Sequence, residues 1–213
     1  MATRIPPPAA SDHKSPRKLP SQQRAIATVE AIVEAAAHIL EKGGFEAYST
    51  NAVAERAGVS IGSLYQYFPN KDAITRALIA RETQLLVDAV GAVSQTEDWR
   101  ATIAWMIGAA VDHQLRRPRL ARLIDIEESR LGGPASDIDA GAALIEILLP
   151  VFERAELRLG VRPEEAVCDV LVITRALTDA AGERPGGGRA GLERRLHRAV
   201  FGYLDFDRTG QCA

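Results

Sequence analysis

Apolar residues recur at three- and four-residue spacing along most of this chain, so the pattern predicts helices and leaves no strand signal. From Gln22 to Lys42 the residues Ile26, Val29, Val33, Ala36, Ala37 and Leu40 make one stripe, which Gly43 and Gly44 close. Thr50 to Ala57 repeats the spacing with Val53, Ala54 and Ala57, capped by Ser49 or Thr50. Gly58 then supplies the left-handed residue that ends a helix at no steric cost. Ser60 suits the N-cap of a second short helix, Ile61 to Phe68, which Pro69 keeps from continuing. Val59 is placed between the two short helices and Phe45 beneath them. Asn70 caps a long helix from Lys71 to about Val93, with Ile74, Leu78, Leu85 or Leu86, and Val90 on its stripe.

Beyond Val93 the spacing resumes over Asp98 to Arg116, and Pro118 opens a helix from Arg119 to Leu131 that Gly132, Gly133 and Pro134 end. Ser136 and Asp139 suit a capping box for a helix running to Leu159 with a kink at Pro150. Pro163, Glu164 and Glu165 start another, to about Ala181, and after a connector at Gly186 to Gly188 the last helix spans Leu192 to Phe206. The expected fold is all-α with about nine helices, a three-helix N-terminal head followed by a helical C-terminal domain. The expected divisions are a proline-rich basic arm at 1–20, the head at 21–70, the helical domain at 71–207 and a tail at 208–213.

Two short helices joined by a turn of three or four residues containing Gly form the helix-turn-helix unit that reads DNA. Leu64 and Phe68, four apart, belong to the core side of the second helix, which leaves Ile61, Gly62, Ser63, Tyr65 and Tyr67 outside. Small residues and aromatic hydroxyls suit a DNA groove. The run AERAGVSIGSLYQYFPNKDAI resembles the signature of the TetR family of bacterial transcriptional regulators, and the resemblance covers about residues 25–75. It implies a DNA-binding set: Thr50, Tyr67 and Lys71 on phosphate, Asn51 on a base, and Ser60, Ile61, Gly62 and Ser63 at the groove floor and backbone. Tyr65 falls on a base or a phosphate.

Composition changes this picture little. The 213 residues are 46% hydrophobic and 25% charged, as in an ordinary globular chain, and the net charge of -2 does not announce a nucleic-acid binder. Residues 1–71 hold eight Lys or Arg against six Asp or Glu, while the remainder holds eighteen against twenty-two. The asymmetry has the right sign for a basic head and is small. The arm at 1–20 reads either as a solvated tail or as an extra source of phosphate contacts.

Candidate chemistry is sparse. Four histidines, His13, His38, His113 and His197, fall on separate segments, and Asp125, Glu127 and Glu128 read as solvated surface without metal-ligand spacing. An enzyme is not expected, and neither a cofactor nor a metal. Cys168 and Cys212 form no metal-like pattern. Cys168 reads as a small buried apolar residue, with a reactive thiol as the other reading. With no apolar run of signal-peptide or membrane-span length, a cytoplasmic protein without membrane association is expected.

The expected partners are double-stranded DNA, a second copy of the chain and a small-molecule effector. One reading helix buries too little to specify a site, so two, about 34 to 36 Å apart, are expected from a homodimer. Leu171, Thr174, Leu177, Leu196 and Val200 on the last two helices are the candidate seam, or else internal core. In proteins of the resembled family the middle helices enclose a ligand pocket, for which the candidates here are Trp105, Met106, His113, Ile126, Glu127, Leu148 and Phe152. The expected function is an effector-released repressor on a palindromic operator; activation, or a DNA-bound structural or adaptor protein without an effector, stands as the alternative.

Overall fold

The computed structural model describes residues 21–92, 98–132, 140–154, 160–183 and 188–209, and among these every regular element is an α-helix. The arm at 1–20, the capping box at Ser136 and Asp139, and Cys212 lie outside the described residues. Helix α1 (Ser21–Ala47) carries the predicted stripe and breaks at Gly44, whose φ of 66° and ψ of -162° are open to glycine alone at no cost. Beyond that break Phe45 is 36% exposed, and Tyr48 takes the buried place expected for it, 3% exposed. The kink turns the chain so that the aromatic three residues on points inward.

Helix α2 (Thr50–Ala57) starts with the Ser49 hydroxyl accepting from the Ala52 N–H and ends at Gly58, φ 69°. Helix α3 (Ile61–Tyr67) starts the same way, with Ser60 Oγ accepting from the Ser63 N–H at 3.0 Å, and Phe68 closes it. Asn70 Oδ1 accepts from the Ala73 N–H at 2.8 Å to open α4 (Lys71–Gly91). Three successive side-chain caps therefore fix where the head's helices begin, each satisfying an amide the helix itself leaves free.

The remaining helices are α5 (Trp99–Arg116), α6 (Pro118–Arg130), α7 (Ala140–Phe152), α8 (Pro163–Glu183) and α9 (Gly188–Thr209). The seventh stops at Phe152, where a run to Leu159 was expected. Pro150 lies only two residues before that stop, and with its ring and missing N–H it weakens the last turn. Helix α9 continues past the expected Phe206 to Thr209, into the region taken as tail.

Two apolar cores result. The first holds Ile32, Leu40, Tyr48, Val53, Leu64 and Phe68, together with Ile74 and Leu78 of α4 and Leu120 of α6. The second joins Val90 of α4 to α5, α7, α8 and α9 around Ile103, Phe152, Val167, Leu196 and Val200. Helix α4 thus belongs to both cores, and α6 lends Leu120 to the first. A division at residue 70 describes the chain but not the packing.

Candidate nucleic-acid interface and effector cavity

The reading helix α3 is short, and its orientation comes from two anchors: Leu64, fully buried, and Phe68 at its C-cap. What remains faces outward. Ile61, Gly62 and Tyr67 are exposed, Tyr65 is 50% exposed, and Ser63 is half-buried. Thr50 Oγ1 of α2 lies 3.3 Å from the Tyr65 hydroxyl, so the start of α2 and the middle of α3 form one polar surface with Asn51 and Ser60 exposed beside it. At its edge the exposed Lys71 sets its ammonium 5.3 Å from the Tyr48 ring centre, a cation–π contact that orients the charge without neutralising it.

Gly62 has no structural reason to be glycine. It has no positive φ, and a Cβ built there meets nothing nearer than Ser60 Oγ at 4.0 Å. Its bare backbone is a property of the surface rather than of the fold, and it admits close approach by a partner.

Beneath that surface the head is pinned by Tyr48. Its hydroxyl lies 3.0 Å from Thr75 Oγ1, which itself bonds the Lys71 carbonyl at 3.1 Å. Burial pushes the Tyr48 phenol up to about 12, against the opposing effect of the Thr75 hydrogen bond.

The second site is a cavity of about 400 Å³ enclosed by α4, α5, α6, α7 and α8. Met106, Leu148 and Val170 are among the apolar side chains of its wall, and His113 lies toward the head. Burial, and next the neighbouring Arg116, hold the His113 imidazole below its usual range, which keeps it neutral near pH 7. At the far end α6 and α8 supply Asp125, Glu128, Thr174, Arg175 and Asp179.

Three of the seven residues proposed from the sequence, Met106, His113 and Leu148, line this cavity. The other four are corrected. Trp105 is 69% exposed and lines a separate open cavity with Gly108 and Arg189, about 100° round the helix from Met106. Ile126 is exposed, and Phe152 is spent in the second core. Glu127 is buried but turned toward the head, where Arg130 holds it at 2.8 Å and also reaches Asp72 at 2.6 Å. The cluster at Asp125 to Glu128 is accordingly not a solvated surface. Its members alternate between the cavity and the head because the helix turns by 100° per residue.

The seam candidates divide similarly. Leu196 and Val200 are fully buried inside the chain, Leu171 and Thr174 line the cavity, and Leu177 is half-buried against the second core. The outward apolar residue of α8 is instead Val172, 67% exposed, one turn from Cys168, which is also exposed rather than buried.

Sequence reasoning passed over the residues that join the two sites. Arg117 reaches Glu41 at 2.8 Å and Glu34 at 3.2 Å, Arg119 donates to the Lys42 carbonyl at 3.1 Å, and buried Glu82 accepts from Arg81 at 2.7 Å and Arg116 at 2.9 Å. Arg117, Glu82, Leu120 and Ile124 all line the cavity as well. Leu120 and Ile124 also pack on the head's core. Helix α6 is therefore a shared wall.

Residues 32–78 match the family model for bacterial regulatory proteins of the tetR family, and residues 98–204, half of the chain, match that for the tetracyclin repressor-like C-terminal domain. The chain belongs to the tetR family. Among its relatives, the HTH-type transcriptional repressor KstR of Rhodococcus jostii is 47% identical over 51 residues, 24% of each chain. The A-factor receptor protein of Streptomyces griseus is 30% identical over 134 residues, 59% of this chain and 46% of the relative. The matches thus span between a quarter and a half of these relatives' lengths. A crystal structure of a transcriptional regulator from Rhodococcus sp. Rha1 shares this fold with a TM-score of 0.69, at 19% identity, over 83% of this chain and 96% of that one. Among the described residues no helix is long and apolar enough to cross a membrane, and no cluster of metal-ligating side chains occurs.

Proposed function

We propose that this tetR-family chain is a ligand-responsive transcriptional repressor that binds a palindromic operator as a homodimer and leaves it when a small effector fills the cavity. The carrying observation is Gly62: a glycine that the fold does not require, at the start of a helix whose exposed side chains are Ile61, Tyr65, Gln66 and Tyr67. Such a surface fits the close approach of a duplex groove, with Thr50, Ser60, Ser63, Tyr67 and Lys71 on the backbone and Asn51 and Tyr65 toward base edges. That the relatives include a protein named as a repressor and another named as a receptor supports both halves of the reading.

Effector control follows from the shared wall. A ligand that binds better when α6 and α4 are displaced draws the two reading helices of the dimer away from operator spacing, and DNA weakens its binding reciprocally. A ligand with equal affinity for both arrangements shifts nothing.

Selection of duplexes from a random pool tests the reading. The expected product is a two-fold symmetric site whose half-site centres are about 34 to 36 Å, or a multiple, apart. Tyr65→Ala, changing an exposed side chain, should cost on the order of 1 to 3 kcal/mol of binding to that site and leave the fold intact. Enrichment of no sequence at all would refute it.

A further inference from the structure

The polar end of the cavity is unevenly charged. Asp125, Glu128 and Asp179 face it with a single cation, Arg175. That guanidinium is already committed, 2.7 Å from Glu128 and 3.8 Å from Asp179. The Asp125 carboxylate makes no hydrogen bond or ion pair among the described residues, its backbone carbonyl alone serving Ser129. Burial, and then the facing Asp179, push it up to about 6. The other charged groups on the wall offer it no relief. Arg117 is held by Glu41 and Glu34, Glu82 by Arg81 and Arg116, and His113 is kept neutral by burial. Between this end and the head-side groups Glu82, His113, Gln114 and Arg117, the wall carries apolar side chains that include Met106, Leu148 and Val170. Asp125 is half-buried beside another carboxylate, and the one guanidinium near it, Arg175, is already paired with Glu128, so a ligand in the cavity can supply a further cation.

We propose that the cavity takes a small amphipathic cation, its ammonium head between Asp125 and Asp179 and its apolar body against Met106, Leu148 and Val170. The assignment rests on the cavity being the effector site and names the class of effector. A protonated primary or secondary amine also donates charge-assisted hydrogen bonds to both carboxylates, whereas a hydroxyl head donates one and a carboxylate head none. An anionic amphiphile would instead add negative charge beside Asp125.

The test uses three probes of equal chain length, n-decylamine, n-decanol and decanoate, each below its aggregation threshold. Calorimetry on the full-length protein reads binding, and displacement of the selected operator duplex reads control. Decylamine is expected to bind at least about tenfold more tightly than either of the others. Asp125→Asn, nearly isosteric and relieved of carboxylate repulsion, should remove that preference; a matched melting temperature confirms the fold. Between pH 7.5 and pH 5 the wild-type affinity for the amine should fall about tenfold as Asp125 becomes protonated, and Asp125→Asn should flatten that dependence. Decanol or decanoate binding as tightly as the amine, no binding of any probe, or an amine affinity indifferent to Asp125→Asn would each overturn the proposal. If decanol displaces the operator and the amine does not, the regulator stands and the cationic class falls. If the amine binds through Asp125 and the operator stays bound, the class stands and effector control falls.

Discussion

The Arg117 guanidinium, immediately before α6, lies 2.8 Å from the Glu41 carboxylate of α1, tying a residue of the cavity wall to the helix that props up the reading head. Glu34, two turns earlier on α1, shares the same guanidinium at 3.2 Å. Arg117 is mostly buried and Glu41 partly so, which protects the pair from the screening that makes fully exposed pairs nearly worthless. Helix α4 is the covalent connection between the two parts. Arg117 and Leu120 make α6 a second, noncovalent one.

Arg117→Met keeps most of the side chain's apolar stem and removes the charge. Its stability cost should be on the order of 1 kcal/mol or less. The factor by which a cavity ligand weakens operator binding should shrink by on the order of 0.5 to 2 kcal/mol. Operator titrations at fixed ligand, in wild type and variant, give the difference. An unchanged factor assigns the coupling to α4 alone.

Gly62→Ala separates fold from function. Since a Cβ there meets no atom closer than 4.0 Å and the backbone is ordinary, the variant should melt at the same temperature or higher, with a gain of up to about 1 kcal/mol from helix propensity. Operator affinity should fall at least about tenfold, a loss near 1.4 kcal/mol, because the methyl group stands where the duplex approaches. A mobility shift beside a thermal melt decides it; retained affinity would place α3 further from the groove than proposed.

What the sequence made legible was local. Ser60, Gly58, Asn70 and Pro69 act on their own neighbours, so caps and stops at those positions were readable from residue type. Leu64 and Phe68 could be assigned inward because one helix face has room for only one apolar stripe. The cavity wall was not legible, since Met106 and Trp105 are adjacent in the chain and only the packing of α5 against α4, α6, α8 and α9 decides which of them turns inward. The same holds for α6, whose Asp125, Ile126 and Glu127 point to the cavity, to solvent and to the head in turn. Leu196 and Val200 show the limit on the last helix, where periodicity identifies a buried stripe without saying whether this chain or a second copy buries it. The carboxylates Asp125, Glu127 and Glu128, set directly after Leu120, Leu123 and Ile124 and around Ile126, were the available signal that α6 had two buried sides.

Tyr48 gives the head a pH dependence at the alkaline end. Its phenol is raised from 10.0 to about 12 in the folded chain, so the unfolded chain loses its proton first. The stability this contributes is fully present below pH 10 and is lost as pH rises toward 12. Tyr48→Phe removes the hydroxyl bonded to Thr75 and should cost on the order of 1 kcal/mol at pH 7, since Thr75 keeps its bond to the Lys71 carbonyl. Between pH 10 and 12 the variant should lose stability less steeply than the wild type, as followed by denaturant unfolding at each pH. Parallel curves would show that Tyr48 does not titrate between the two states.

Val172 and Leu196 offer opposite tests of how two copies meet. Val172 stands 67% exposed on α8, with Cys168 exposed one turn before it, whereas Leu196 on α9 is fully enclosed by its own chain. If the outer face of α8 joins the homodimer, Val172→Glu places a charge in a desolvated seam, where an unpaired charge costs several kcal/mol, while the protomer loses almost no contacts. Sedimentation should then find a folded monomer in place of the wild-type dimer, and operator affinity should collapse because one reading helix cannot span two half-sites. Leu196→Glu should instead lower the melting temperature sharply, since the charge enters the core whatever the state of association. A Val172→Glu protein that remains dimeric at micromolar concentration would move the seam away from this face of α8.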